Sequence, residues 1–326
     1  MADHPTGSAP PPAKLIERAR AAFLGACRLD VETAKPGNVS AASPGHRMVA
    51  AQFVASADAA VDALIAPRVP VGERIFEAVS RTRQVAGCNT NLGIVLLVAP
   101  LAAALDPLAE TPGFDAAAPL SPIAWRAATE RVLADLDLDD ARATYRAIAL
   151  ANPGGLGDAP EQSVRDEPTV DLRAAMTLAA DRDSIARQYA NGFADVFATG
   201  LGAVREAPAQ QPRLATLNAY LAFLAGWPDS HIVRKHGLAL AQSVTLAALE
   251  HHTRLRHAFA QHRAPGTTQL DAWDAQLKAR AVNPGTSADL TVATLFVAAL
   301  CALPALAPPP SPHGQGDPRR DWHGTC

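Results

Sequence analysis

Apolar residues recur along this chain with the three- to four-residue spacing of helices that bury one face, and no run of alternating apolar and polar positions predicts a strand. Alanine and leucine dominate over valine and isoleucine, which favours helix over sheet. The pattern predicts an all-α fold in which helices are layered around a central buried pair. The predicted helices span residues 13–31, 49–65, 72–86, 90–105, 121–134, 138–151, 170–203, 211–226, 230–262, 268–281 and 286–303.

The two ends of the chain depart from this pattern. Residues 1–12 and 304–326 are rich in proline and glycine, and such segments bury too little apolar surface to offset the entropy lost on ordering. We therefore expect one helical domain over residues 13–303, flanked by two disordered tails. Within the domain, residues 106–121 and 152–169 are predicted to be surface loops.

Composition and charge narrow the expected partners. The chain carries 29 lysines and arginines against 32 aspartates and glutamates, a net charge of −3, which gives no basic surface for nucleic acid or an anionic membrane. A small-molecule partner is therefore expected, and a homodimer is compatible with the sequence. The longest apolar run, Leu92–Leu105, is too short to span a bilayer and contains Pro100, so it is predicted to be a buried core helix.

The cysteines and the first residues indicate the compartment. The four cysteines are widely spaced and form no CxxC pair, so neither a disulfide framework nor a structural zinc site is predicted. The first twelve residues lack the charged and apolar regions of a signal peptide. Both observations favour a cytoplasmic protein.

Five short polar segments interrupt the helices and combine glycine or proline with carboxylates, amides or lysines. Such segments at helix ends carry free backbone N–H groups that can bind anions. We treat them as the candidate functional segments of the chain. They span residues 32–38, 87–93, 152–158, 227–237 and 283–290.

The first of these segments contains Glu32 and Lys35 and ends in Gly37 and Asn38. Pro36 and Gly37 alone would suit a helix stop. Lysine is rare in this chain, however, with four lysines beside 25 arginines. Because a lysine ammonium is a compact charge suited to phosphate binding or proton transfer, we interpret this segment as functional.

The second segment, GCNTNLG, precedes the most apolar helix. Asn89 or Thr90 can be the N-cap of that helix. Alternatively, the free N–H groups at its start, together with Gly93, can hold a phosphate. The segment does not match the P-loop pattern, and no dinucleotide-binding fingerprint follows a strand.

Two charged segments occur in the middle of the chain. In the first, Asp183 can belong to a solvated helix face, paired with Arg187 four residues later. It can also point into a polar pocket with Tyr189 and Asn191 and bind Mg²⁺.

In the second charged segment, Asp229 or Ser230 can be an N-cap. His231, Arg234 and Lys235 then lie on one helical face. That face can clamp a polyphosphate or be an exposed basic patch.

The last segment, NPGTSADL, has two interpretations. Thr286 can cap a helix, with Asp289 completing a shortened capping box. Alternatively, Asp289 binds a metal ion while the amides of Thr286, Ser287 and Ala288 hold phosphate oxygens. The spacing alone leaves both open.

Taken in order, the segments resemble the triphosphoribosyl-dephospho-coenzyme A synthase family, over roughly Ala13 to Leu303. The resemblance is carried by the motifs E-x-x-K-P-G-x-V at Glu32–Val39, G-H-x-M at Gly45–Met48, N-T-x-x-G at Asn89–Gly93 and P-G-x-x-A-D at Pro284–Asp289. It implies an all-α enzyme that transfers the triphosphoribosyl group of ATP to 3′-dephospho-CoA and releases adenine. It also implies Mg²⁺ as the cofactor.

The resemblance suggests roles for particular residues. Glu32, Lys35 and Asp289 are the expected catalytic residues, and Glu32, Asp183 and Asp289 the expected Mg²⁺ ligands. The residues expected to bind ATP are Gly37, Asn38, His46, Asn89, Thr90, Gly93, Arg234, Lys235, Thr286 and Ser287.

At one point the chain differs from the better-known synthases. They carry His-Lys after the Asn-Thr pair, whereas this chain has Asn91 and Leu92. A divergent relative acting on a pterin or phosphoribosyl intermediate of tetrahydromethanopterin-linked metabolism is therefore a second candidate function. The sequence is also compatible with a Mg²⁺-dependent nucleotide hydrolase and with a non-catalytic helical binding protein.

Overall fold

The computed structural model describes residues 11–41, 50–152, 162–164 and 166–307, and every regular element within these ranges is a helix. This confirms the predicted all-α class. The α-helices are α1 Ala13–Glu32, α2 Ala50–Ile65, α3 Val71–Ala86, α4 Leu92–Ala103, α5 Leu105–Ala109, α6 Pro122–Ala134, α7 Leu138–Ala151, α8 Leu172–Ala179, α9 Ser184–Asn191, α10 Leu201–Glu206, α11 Pro212–Gly226, α12 Ser230–His236, α13 Leu238–Ala260, α14 Thr268–Ala279 and α15 Gly285–Leu300.

Helices α4 and α15 form the buried centre of the fold. All residues from Ile94 to Ala102 in α4 are buried, and so is nearly all of α15. The two helices pack against each other, and α1 and α11 cover α15 while α2 and α3 cover α4. The stretch Leu92–Ala109 is long and apolar enough to cross a membrane, but 78% of it is buried inside the protein, as expected of a core helix.

Two predicted long helices are broken in the structure. The stretch 170–203 is divided into α8, α9 and a π-helical turn at Val196–Gly200. Asp183 starts α9 as its N-cap, and Gly192 ends α9 in a left-handed conformation with φ of 63°. The stretch 230–262 is divided at Gly237, whose φ of 87° separates α12 from α13. These breaks bring the ends of α9 and α12 to the same side of the protein.

The predicted loops and tails also need correction at their edges. Helix α5 lies partly within the expected loop 106–121, and most of the expected loop 152–169 lies outside the described residues. The chain forms a short 3₁₀ helix at Pro304–Leu306, and Pro304 accepts a hydrogen bond from the Gln210 N–H at 2.9 Å. The ordered chain therefore continues past the expected boundary at residue 304. Residues 1–10 and 308–326 lie outside the described residues.

Close packing of α3 on α7 depends on Gly72. Its N–H donates to the Asp140 carboxylate at 2.7 Å. A Cβ at this position would lie 2.5 Å from the Asp140 Cα and 2.6 Å from its carbonyl oxygen. Since both obstacles are backbone atoms, the two helices can accommodate a larger residue only by moving apart.

We predict that Gly72→Ala lowers the free energy of unfolding by about 1–3 kcal/mol, because it overpacks this helix contact. The matched control is Gly25→Ala in the interior of α1, where a Cβ would meet nothing within 4 Å. That substitution is expected to raise the free energy of unfolding by roughly 0.5–1 kcal/mol, because glycine disfavours helix. Urea unfolding followed by circular dichroism measures both values. Equal effects of the two substitutions would contradict the packing assigned to Gly72.

Candidate active site

Helix ends from distant parts of the sequence surround one cavity of about 760 Å³. The ends of α1, α3, α4, α9, α12 and α15 contribute polar residues, and the sides of α7 and α8 contribute apolar ones. Its volume lies within the range of small-molecule sites. All five polar segments therefore contribute to the cavity. The first contributes only Asn38. The third contributes Asn152, and its residues 153–158 lie outside the described residues.

The predicted site residues divide into three groups. His46 lies outside the described residues. The predicted residues that line the cavity are Asn38, Asn89, Thr90, Gly93, Asp183, Arg234, Lys235 and Asp289. Those that the structure describes but that do not line it are Glu32, Lys35, Gly37, Thr286 and Ser287.

Asp289 lies on the second turn of α15, so it is not part of a capping box, and the N-cap position of this helix is Pro284. Its carboxylate packs against the start of α4, where a Cβ on Gly93 would come within 2.0 Å of Oδ2. Burial raises the pKa of the Asp289 carboxyl well above its ordinary value, and the nearby charges of Asp30, Asp229 and Asp183 raise it further. Gly93 therefore makes room for a carboxylate rather than for a phosphate.

Asp30 is a carboxylate in the cavity that the sequence interpretation missed. It lies in the last turn of α1, is 6% exposed and lines the cavity. Lys35 forms an ion pair with it, with Nζ 3.0 Å from Oδ1, and also donates to the Asp30 carbonyl oxygen. Burial raises the pKa of Asp30, whereas the charge of Lys35 and its hydrogen bond oppose this rise. The sequence offered one signal for this role of Asp30: it is a carboxylate five residues before Lys35, one of the rare lysines.

The expected roles of Glu32 and Lys35 require correction. Glu32 is exposed and faces Arg213 across 3.7 Å, so its carboxylate does not line the cavity in which a substrate would react. The Lys35 side chain is 0% exposed and turned toward Asp30, so it does not line the cavity either. In the structure, Asp30 occupies the position that the sequence interpretation gave to Glu32.

Three further residues expected to hold phosphate already have protein partners. The Gly37 N–H donates to the Asp274 carboxylate at 2.8 Å. The Thr286 hydroxyl accepts the His231 N–H at 3.2 Å. Both the N–H and the hydroxyl of Ser287 donate to the Asp229 carboxylate at 2.8 Å. These groups stabilise the protein around the cavity instead of lining it.

Asp229 connects α12 to α15. One of its carboxylate oxygens caps α12 by accepting the N–H groups of His231 and Ile232, and the other accepts the two hydrogen bonds from Ser287. Burial raises its pKa, and the Ser287 hydrogen bonds oppose this. The N-cap role was predicted, but the connection to α15 was not, because it joins residues 58 positions apart.

Asp183 and Arg234 form the charged edge of the cavity. The Asp183 carboxylate caps α9 through the N–H groups of Ile185 and Ala186 and pairs with Arg234 Nη1 at 2.6 Å. The Arg234 Nε is buried and has no hydrogen-bond partner among the described residues. Lys235, the next residue, is exposed and also lines the cavity. This edge therefore presents donors for an anion.

Two predictions about Asp183 are wrong. It does not belong to a solvated helix face paired with Arg187, and Tyr189 and Asn191 do not share a polar pocket with it. Arg187 pairs with Asp195 rather than with Asp183. Tyr189 is fully buried and donates to the Leu96 carbonyl oxygen at 2.6 Å, and Asn191 contacts Asp195. Neither Tyr189 nor Asn191 lines the cavity.

The start of α4 supplies neutral polar groups. Asn91 is the N-cap residue, is 5% exposed and lines the cavity, and its Nδ2 has no hydrogen-bond partner among the described residues. The Asn89 side chain accepts the Leu92 N–H at 3.1 Å, and Thr90 donates to the Ser56 hydroxyl at 2.6 Å. Asn89 thus satisfies the first turn of α4, as a cap would, and Asn91 offers an amide donor to a ligand.

Part of the cavity wall is apolar. Helices α7 and α8 contribute Ile148, Ala175 and Met176, and α4 and α9 contribute Leu96 and Ile185. A cavity lined by carboxylates, cations and these apolar side chains can hold a ligand that has both a charged and an apolar part.

The expected Mg²⁺ ligands are only partly brought together. Among the described residues, no three histidine, cysteine, aspartate or glutamate side chains form a group that could hold a metal ion by themselves, and Glu32 lies outside the cavity. Asp183 and Asp289 both line it. Because Mg²⁺ is usually held by one or two carboxylates together with substrate phosphates and water, these two residues fit the ion. The mutual repulsion of the carboxylates around Asp289 also favours a cation there.

We predict that Asp289→Asn stabilises the ligand-free protein at neutral pH. Because the folded-state pKa of Asp289 is raised, the folded protein binds a proton more readily than the unfolded chain. The free energy of unfolding therefore falls as pH rises from the unfolded pKa, about 4, through the folded pKa. Asparagine avoids this loss, so the melting temperature should rise by a few degrees at pH 7, and the gain should disappear toward pH 4.

Scanning calorimetry at several pH values measures this difference, with the exposed Asp166→Asn as the control that should show no such gain. A lower melting temperature for Asp289→Asn at pH 7 would contradict the electrostatics assigned to the cavity.

Comparison with known proteins places this geometry in a family. No curated protein sequence matches the chain significantly. A solved structure from Archaeoglobus fulgidus, provisionally described as a triphosphoribosyl-dephospho-coA synthase, is 24% identical and has a TM-score of 0.57, over 77% of this chain and 100% of that chain. That likeness shows a shared fold. The family of ATP:dephospho-CoA triphosphoribosyl transferases, CitG, matches residues 16–306. The chain therefore belongs to this family of pentosyltransferases, as the sequence motifs indicated.

Proposed function

We propose that the protein transfers the triphosphoribosyl group of ATP to a hydroxyl of 3′-dephospho-CoA, releases adenine and depends on Mg²⁺. One observation carries the proposal: a single cavity is lined by the carboxylates of Asp30, Asp183 and Asp289 beside the cations of Arg234 and Lys235. Transfer of this kind needs negative charge at the sugar carbon and positive charge at the phosphates. The cavity provides both.

The carboxylates suit the reacting sugar. As the bond between ribose C1′ and adenine breaks, positive charge develops at C1′, and nearby carboxylates stabilise it, as in glycoside chemistry. Asp30 and Asp289 both line the cavity, and Asp30 is the neighbouring charge that raises the pKa of Asp289 most. We place C1′ of the ATP ribose over these two side chains.

The charged edge suits the triphosphate. Arg234 can donate from its buried Nε while its Nη1 stays bonded to Asp183, and Lys235 adds a second cation. Asp183 and Asp289 would hold Mg²⁺, which supplies charge neutralisation of the phosphate oxygens when it is bound. Asn91 Nδ2 offers one more donor near the start of α4.

The apolar wall suits the acceptor. Ile148, Met176 and the neighbouring residues of α7 and α8 bury part of a ligand without offering charges. The long, largely uncharged arm of dephospho-CoA has this chemistry, whereas the triphosphate does not. Cytoplasmic location and a homodimer remain predictions from the sequence.

Incubation of the pure protein with ATP, dephospho-CoA and Mg²⁺, followed by mass spectrometry, tests the proposed function. We expect free adenine and a triphosphoribosyl adduct of dephospho-CoA in equal amounts, both lost when Mg²⁺ is chelated. ADP, or adenine with ribose triphosphate and no adduct, would support the hydrolase instead. The absence of any nucleotide binding would support the binding protein.

A variant pair completes this test. Arg234→Met should raise the KM for ATP about 10- to 100-fold, the cost of one hydrogen bond to a charged group. Arg254→Met is the matched control, since Arg254 lies exposed on α13 and pairs with Glu250. An unchanged KM in Arg234→Met would contradict the placement of the triphosphate.

A further inference from the structure

The last turn of α1 and the residues after it bury an ion pair beneath the cavity. Asp30 lines the cavity, while Lys35 does not, and the Lys35 side chain is 0% exposed. Burying such a pair costs the desolvation free energy of both ions, and an apolar pair of similar size is often as stable or more stable. Stability of the fold therefore does not explain why this ion pair is buried. Its position at the cavity indicates a role in the reaction instead.

We propose that Asp30 is the catalytic base toward the acceptor hydroxyl and that Lys35 is a positioning residue that acts only through Asp30. The proposal rests on the proposed transferase function. The two residues have separate tasks because only Asp30 reaches the cavity in which the acceptor would bind.

The turn after α1 directs Lys35 back toward Asp30. The Pro36 carbonyl oxygen accepts a hydrogen bond from the buried Tyr220 hydroxyl at 2.6 Å, and the Gly37 N–H donates to Asp274. Gly37 has a φ of 80°, and a Cβ there would lie 2.9 Å from Pro284 Cδ. Contacts from α11, α14 and the segment before α15 thus fix the turn on three sides. Lys35 accordingly forms an ion pair with the Asp30 carboxylate and donates a hydrogen bond to the Asp30 carbonyl oxygen.

Asp30 and Asp289 differ in their nearest cations. Asp30 has its own ion pair, with Lys35 at 3.0 Å. The cations that act on Asp289 are both paired with other carboxylates: Arg234 Nη1 with Asp183 at 2.6 Å, and Lys35 with Asp30. A neighbouring cation favours the ionised form of a carboxylate, and a general base must be ionised to accept a proton. Of the two, Asp30 is therefore the better base.

The step balances without a further reactant. The acceptor oxygen forms a bond to C1′ as its proton passes to the Asp30 carboxylate. The bond between C1′ and adenine N9 breaks, adenine leaves with the electron pair and takes up one proton from solvent, and Asp30 later returns its proton to solvent. Lys35 keeps the Asp30 carboxylate in place through their ion pair.

A double-mutant cycle in the transfer reaction tests the assignment. Asp30→Asn should lower kcat about 10²- to 10⁴-fold, the usual contribution of a general base, and leave the KM for ATP within about threefold. Lys35→Met should also lower kcat. The double variant Asp30→Asn/Lys35→Met should match Asp30→Asn alone, because residues that act as a unit are not additive. The control is Asp106→Asn. Asp106 lies on α5, does not line the cavity, and pairs with the buried Arg74. Its loss should leave kcat at the wild-type value.

The outcomes separate the possible failures. Each single variant leaves one buried charge unpaired and can fail to fold. The double variant carries neither charge, so its kcat, compared with that of the wild type, still decides: a kcat within about threefold of the wild type would show that Asp30 is not the base. If the wild-type protein catalyses the transfer and the kcat of Asp30→Asn lies within about threefold of its kcat, the assignment of the base is overturned while the proposed function stands. A double variant markedly slower than Asp30→Asn would overturn the claim that Lys35 acts only through Asp30, because independent contributions are additive. No transfer by the wild-type protein would overturn the proposed function and this inference with it.

Discussion

The structure depends on the crowding of buried carboxylates where helix ends meet. Burial raises the pKa of Asp289, and the charges of Asp30, Asp229 and Asp183 raise it further. Lys35 offsets the charge of Asp30, and Arg234 acts on Asp229 and Asp289 while it pairs with Asp183. Groups held this way in the folded state cost stability at neutral pH. A protein keeps such an arrangement where a bound cation or a developing positive charge relieves it.

The helical core is what makes this arrangement tolerable. Helices α4 and α15 bury almost every residue, and the apolar area that they remove from water stabilises the fold around the cavity. The same two helices position the chemistry, because Asp289 on α15 lies against Gly93 at the start of α4. Asp229 fixes the start of α15 through Ser287. The first turns of α4 and α15 thus form part of the site, and the rest of the same two helices forms the core.

Much of the fold could be predicted from the sequence, because helix periodicity and glycine or proline breaks are local signals. The buried pair of helices was evident in the continuous apolar run that begins at Leu92, and the polar segments at helix ends indicated which parts of the chain surround the cavity. The break at Gly237 was missed because the apolar spacing continues across it. The overall pattern was sufficient for the class of fold and for the region of the site.

The individual roles could not be predicted, because they depend on which way each side chain points. Glu32 and Asp30 are two residues apart and thus about 200° apart around α1, and the motif spacing does not show which of them faces the cavity. Ser287 looked free to bind phosphate, but Asp229 uses both of its donors. Such contacts join residues distant in the sequence. Only the packed helices show them.

Burial and the surrounding carboxylates make Asp289 keep its proton to a higher pH than an ordinary carboxyl group. Titration of the protein labelled with ¹³C at the aspartate carboxyl carbons, followed by NMR, measures this pKa, with the Asp289 signal assigned by its loss in Asp289→Asn. We expect this signal to titrate clearly above about 4, the ordinary aspartate value. Titration of the Asp289 signal at or below that value would contradict it.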